Sequence, residues 1–339
     1  METIIGLSLL IFALTLFSLF SFKAPMGKEA MSALAGTAIA TFLVEAVHNF
    51  ISGDLFGIEF LQEVGVSAGS LSGTIAAILV PIKMGVNPVF AVVAGAALLE
   101  VGIIPGFVAG YLVGIIAPKL EEKLPSGVST IVGALVLAPF SRFVAVITIP
   151  IVDATLLNIG DMIVIASEQS PVVMGFFLGG IIKVICSSPL SSMALTAMLG
   201  LQGLAMGIAS IASFAGAFAN GVLFKRLKFG DNSNVVAVML EPLTQADIIT
   251  TNPLPIYFTN FLGGGIGGLI AVYFGIVSNA PGTASPIPGM LAPFAFNAPI
   301  TVVTALILAV VGGLLGGYIG STVFLLASKK KVVLKTSQN

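Results

Sequence analysis

"EPLTQADIITTNPLPIYFTNFLGGGIGG", Glu241 to Gly268, runs from charged and amide side chains through three prolines into a glycine cluster. Glu241, Thr244, Gln245, Asp247, Thr250, Thr251 and Asn252 all fall between positions 241 and 252. A lipid-facing helix does not carry that load, because one charge at the bilayer centre costs about 2.5–3.5 kcal/mol on insertion scales. Two readings remain: a loop in solvent, or irregular backbone buried inside a membrane protein. The flanks favour burial. "VVAVML" precedes the stretch and "PLPIYFTNFL" follows it, without the lysines that mark cytoplasmic loops.

The rest of the chain supplies the membrane. Of 339 residues, 57% are hydrophobic and 9% charged, and the mean hydropathy is +1.12. Soluble domains carry about 25% charged residues, and no core at this length hides so much apolar surface. The apolar runs are continuous rather than alternating with period two, which excludes a β-barrel and predicts helices. The expected fold is an all-α, polytopic membrane helix bundle. A net charge of -1 predicts no nucleic-acid partner. Cys186 is the one cysteine, so no disulfide framework or four-cysteine site arises. With a single histidine and no tryptophan, no metal site and no cofactor is expected.

Apolar periodicity predicts spans at about Ile4–Phe22, Met31–Phe50, Ala68–Met84, Val128–Ile151, Leu204–Leu223, Ile256–Ile276 and Ala298–Leu326. A run from Pro88 to Ala117 is broken by "GIIPG" (102–106), and one from Val172 to Leu201 by "CSSPLSS". The expectation is about eight to ten spans, with two re-entrant hairpins at the polar breaks. The N-terminus lacks a basic n-region and has a full-length apolar run, so it reads as a retained span rather than a signal peptide. Basic groups at Lys23/Lys28, Lys119/Lys123, Lys225/Arg226/Lys228 and in the tail "SKKKVVLK" place those loops and the C-terminus in the cytoplasm. "SGDLFGIEFLQEVG" (52–65), acidic and free of lysine and arginine, reads as an external loop. The chain reads as free of linkers and soluble modules, which assigns any phosphate-carrying domain to another polypeptide.

Charged and titratable groups at membrane depth are Glu45, His48, Glu100, Arg142, Asp153, Lys183, Glu241 and Asp247. Glu45 and His48 have the spacing of a carboxylate-bridged di-metal bundle, but the second histidine is missing. They read as a polar helix end. Lys183 either snorkels to the surface or supports the break that follows it. In that break Pro189 removes a backbone donor, and Ser187, Ser188, Ser191 and Ser192 can satisfy freed carbonyls. Gly263, Gly265 and Gly268 match G-x-G-x-x-G literally, yet no acid follows Asp247 in the chain, so a dinucleotide site is rejected. These glycines, and Gly312, Gly316 and Gly320, read instead as places of close helix approach.

"PGFVAGYLVGIIAPKLEEKLPSGVSTIVGALVLAP", "GFFLGGIIKVICSSPLSSMAL" and "MLEPLTQADIITTNPLPIYF" resemble segments of the membrane-spanning IIC component of bacterial phosphotransferase sugar permeases. The resemblance runs from about Pro88 to Leu326 and is nearest the branch of fructose-type IIC domains and perfringolysin regulator-like proteins. In chitobiose-type members a Glu-Pro and an Asn-Pro look similarly placed to Glu241 and Asn252. The resemblance implies a homodimer in the bacterial cytoplasmic membrane. Each protomer would have a scaffold and dimerisation region (1–127), a transport region (128–328) with broken segments at about 172–201 and 235–256, and a basic tail (329–339). It implies a small polar substrate, a sugar or polyol, phosphorylated by separate IIB and IIA proteins. Glu241 would orient the hydroxyl being phosphorylated, as the catalytic residue. Thr244, Gln245, Asp247, Asn252, Ser187, Ser188 and Ser191 would join it in binding. The chain departs from the family in having "SSPLSS" where fructose-type domains have a Gly-Gly-Pro-Val-Asn break. It also lacks a histidine near the site.

Three functions fit: such a permease, a gradient-driven carrier of a polar or anionic metabolite on the same fold, or a membrane regulator that binds ligand without flux.

Overall fold

The computed structural model describes residues 2–123, 125–188 and 192–336. These form sixteen α-helices with π and 3-10 segments and no strand among the described residues. In chain order they are α1 (Glu2–Lys23), α2 (Gly27–Ala38), α3 (Glu59–Ser70), α4 (Ser72–Lys83), α5 (Pro88–Ala96), α6 (Ile103–Lys123), α7 (Ser126–Val152) and α8 (Asn158–Gln169). Then come α9 (Pro171–Cys186), α10 (Ser192–Met198), α11 (Gly203–Leu227), α12 (Asn232–Leu240), α13 (Ala246–Thr251), α14 (Pro253–Phe274), α15 (Pro286–Leu291) and α16 (Pro299–Thr336). Helices satisfy every backbone group internally, which hydrocarbon demands. The polytopic helical bundle is therefore as the composition dictates.

Seven helices are long and apolar enough to cross a membrane, and eight if the pair α3–α4, bent by 58°, forms one span. The sequence suggested a few more because pieces of broken apolar runs were counted toward the total, and several are too short to cross. Pro88–Ala117 divides into a 9-residue and a 21-residue helix. In Val172–Leu201, α9 has 16 residues and α10 has 7. Residues 52–65 are a correction. They are not a loop: π-helix covers Ala46–Leu55, and α3 starts at Glu59. Its acidic residues give a polar helix, because helix formation tolerates Glu as well as it tolerates Leu.

The chain divides into two compact units. The first comprises 1–165, 193–201 and 280–283; the second comprises 166–192, 202–279 and 284–339. Within the first, α4 packs on α2, α5 and α6, and α7 packs on α5 and α6. Its core includes Ala77, Leu98, Val101, Ala109 and Ala145. Helices α4 and α6 cross where Gly73 meets Gly106: a Cβ on Gly106 would lie 2.2 Å from the Gly73 carbonyl oxygen. Tyr111 donates to the Pro25 carbonyl at 2.9 Å.

In the second unit, α9, α11 and α16 all pack on α14. The glycines Gly263–Gly268 are the reason. Gly264 and Gly268 face α9, where added Cβ atoms would lie 2.5 Å from the Gly179 oxygen and 1.9 Å from the Gly175 oxygen. Gly263 and Gly267 face Ala219 and Ala215 of α11. Gly312, Gly316 and Gly320 of α16 meet Ile266, Gly263 and Thr259 of α14. Spacings of four residues put each set on one helix face, and small residues let backbones approach within van der Waals range.

Gly264→Val is expected to destabilise this unit by about 1–3 kcal/mol or more through overpacking. Gly36→Ala, whose Cβ would find its nearest neighbour at 4.0 Å, is the control and should not destabilise, since a helix interior favours alanine over glycine by about 0.5–1 kcal/mol. Thermal unfolding of both variants in one detergent compares them; equal midpoints would contradict the close-packing account.

Candidate functional site

The second unit buries a polar cluster where α9 ends. Lys183 lies one turn before that end and is 0% exposed. Its stem threads between two glycines: a Cβ would come 2.3 Å from its Cδ at Gly216, and 2.4 Å from its Cβ at Gly264. The close approach of α11 and α14 thus closes over the side chain, and the snorkelling reading is corrected. The ammonium donates to the Ser213 carbonyl at 3.4 Å and stands 4.0 Å from Cys186 Sγ.

Ser187 follows directly and is buried. Its Oγ accepts from Asn260 Nδ2 of α14 at 2.9 Å and from Asn220 Nδ2 of α11 at 3.4 Å. Both asparagines are fully buried. Neither Oδ1 has a hydrogen-bond partner among the described residues. A buried unmet acceptor costs about 1–3 kcal/mol. Turning an amide over exchanges which end is unmet without removing the deficit, because one hydroxyl has one hydrogen to give.

Glu241 terminates α12, and Pro242 starts a 3-10 turn (242–245). Its carboxylate accepts from the Leu243 N–H at 3.4 Å and the Ser285 hydroxyl at 3.3 Å. Glu241 lies outside the candidate spans. Burial pushes its carboxyl above the usual range, while the Leu243 N–H, the Ser285 hydroxyl and the Lys183 ammonium pull it back.

The other expected site residues are engaged locally. The Thr244 hydroxyl donates to the Glu241 carbonyl at 2.8 Å. Gln245 Oε1 accepts from Asn234 Nδ2 at 2.7 Å, tying the turn to the capping box of α12. Asp247 is exposed, and its carbonyl accepts from Thr250 and Thr251. Asn252 Nδ2 donates to the Ile248 carbonyl at 3.0 Å. Ser188 caps α9 through the Ile185 carbonyl, and Ser191 lies outside the described residues. Helices α12 and α13 have 9 and 6 residues, too short to cross a bilayer. The stretch from Glu241 to Asn252 is therefore short helix and turn rather than open loop.

Asn220, Asn260, Ser213 and Ser285 escaped the sequence reading, which tracked charges at depth. Single amides inside "AFANGVLF" and "YFTNFL" were the available signal.

A family profile described as "Phosphotransferase system, EIIC" matches residues 28–338. The chain belongs to this family. It is thus a multi-pass membrane component of a phosphotransferase sugar permease, a class that works with IIB and IIA proteins. No curated protein and no solved structure matches the EIIC chain.

The buried lysine makes this EIIC site testable by stability. Lys183→Met keeps the stem and removes a charge that has, among the described residues, one carbonyl as its oxygen partner. The variant is expected to unfold no lower than the parent in a thermal melt, because a buried unpaired charge costs more than the apolar group that replaces it. A clear loss of stability would show that the ammonium is held by more than Ser213 and Cys186.

Proposed function

We propose that this EIIC protein binds and translocates a small polyhydroxy solute, a sugar or polyol, through the cluster formed by Lys183, Ser187, Asn220, Asn260 and Glu241. The carrying observation is the pair of buried amide oxygens without donors on either side of the Ser187 hydroxyl. A polyol brings hydroxyl hydrogens to such acceptors and oxygens to the Lys183 ammonium. Its neutrality suits a cluster that holds one cation and one carboxylate.

In this reading Glu241 is the catalytic group. Its carboxylate accepts hydrogen from the hydroxyl to be phosphorylated, and that oxygen attacks the phosphoryl group carried by a separate IIB protein. A carboxylate held, among the described residues, by long bonds from Leu243 and Ser285 keeps acceptor capacity for substrate. Thr244, Gln245, Asp247 and Asn252 line the approach, and Ser188 and Ser191 shape the end of α9. We assign the two broken segments, about 172–201 and 235–256, to re-entrant hairpins. Transport belongs to the unit holding the cluster and scaffolding to the other. The proposal extends to a homodimer of the fructose-type or perfringolysin regulator-like branch, in the bacterial cytoplasmic membrane. The lysines after Ala327 support a cytoplasmic C-terminus.

Uptake in cells is expected to require phosphoenolpyruvate and the general phosphocarriers. The second reading, a gradient-driven carrier, is favoured by one observation: Lys183 is fully buried, and an ionisable group inside a membrane bundle can couple a proton to flux. Undiminished uptake without the phosphocarriers would select it.

The pH dependence tests Glu241 directly. A carboxyl raised by burial protonates at higher pH than an ordinary glutamate and then loses its acceptor role. Solute binding should therefore weaken as pH falls through that raised pKa. Glu241→Gln should bind more weakly and show no such fall. Calorimetric titration over a pH series with purified protein reads both, and identical profiles for parent and variant would remove Glu241 from the site.

A further inference from the structure

Three candidate spans have ends at one place in the second unit. Helix α11 ends at Leu227, α14 begins at Pro253, and the apolar part of α16 runs to Ala327. Among these ends lies a cavity of about 470 Å³, lined by Arg226, Lys228, Asn252, Phe229, Phe324 and Leu325 among others. Span ends mark the level of lipid headgroups, since the hydrocarbon core is about as thick as a span is long. Asn252, which the proposed function sets on the approach to the substrate, also lines this cavity.

The two cations differ in how they are held. Arg226 stacks on Tyr318 at 4.0 Å. Its Nη1 donates to the Tyr318 carbonyl at 2.7 Å, Ser321 Oγ at 2.6 Å and Thr322 Oγ1 at 2.8 Å. Among the described residues all its hydrogen bonds leave from Nη1, so a rigid guanidinium retains its Nε and Nη2 donors. Lys228 caps α11 in the left-handed region, φ 57°, and is exposed. Among the described residues no carboxylate lines the cavity. Asp231, the nearest acid in sequence, spends its carboxylate on the Ser233 and Asn234 N–H groups at the start of α12.

We infer that this cavity binds the headgroup of an anionic phospholipid. Arg226 and Lys228 face the phosphate, and an acyl chain lies along Phe324 and Leu325. Two observations beyond charge support a lipid over a soluble phosphate. The cavity sits at the ends of spans, and half of its named lining is apolar, which a free phosphate has no use for. Basic pockets between membrane helices on the cytoplasmic side are suited to such headgroups, and this loop is among those the positive-inside rule places there. The inference rests on Arg226 and Lys228, which take no part in the proposed substrate site.

The full-length protein in detergent, titrated with short-chain phosphatidylglycerol and followed by native mass spectrometry, tests it. Phosphatidylcholine of the same chain length and inorganic phosphate are the comparison ligands. Phosphatidylglycerol should bind preferentially and resist displacement by millimolar phosphate. Lys228→Asn removes the charge and keeps a residue tolerant of the left-handed region. It should weaken phosphatidylglycerol about five-fold and leave phosphatidylcholine unchanged, with Lys228→Arg restoring affinity. Equal binding of the two lipids, ready displacement by phosphate, or no effect of Lys228→Asn would overturn the assignment.

Discussion

The second unit depends on one constraint: α14 has no side chains where its neighbours must pass. Around Gly263–Gly268, carbonyl oxygens of α9 sit where Cβ atoms would otherwise be. Lipid offers no hydrophobic drive for helix association, so close van der Waals contact has to supply it. The same closeness sets the chemistry. It draws Asn220 and Asn260, on two different helices, to one serine hydroxyl. It also leaves a slot only as wide as an alkyl chain, and Lys183 fills it. A bulkier crossing would separate the amides and open the lysine to lipid.

The cluster combines groups that rarely share a dry interior. Among the described residues the lysine has one carbonyl as its oxygen partner, and two amide oxygens have no donor. A core selected for stability alone would hold leucine and methionine there. Under the proposed function, the hydroxyl groups of a polyhydroxy solute would complement this deficit.

The membrane class and helical architecture were legible because composition leaves no soluble alternative. The glycine faces were legible too, because residues four apart in a helix necessarily point the same way. Helices α7, α11, α14 and α16 fall close to the apolar runs that announced them. The site was less legible. Glu241 could be singled out because a carboxylate beside a proline is conspicuous in a greasy chain. Asn220 and Asn260 were not, since a single amide barely lowers the hydropathy of a window. Their meeting at Ser187 depends on helix crossings that no local pattern encodes. The burial of Lys183 was hidden for the same reason: snorkelling and full burial differ only in where the glycines of neighbouring helices fall.

The slot between Gly216 and Gly264 has an entropic side as well. A free lysine side chain samples many rotamers, and fixing them costs up to about 2 kcal/mol of entropy. Here that cost is met once, when the helices assemble. The ammonium is thereby held in place by the packing of α11 and α14 around its stem.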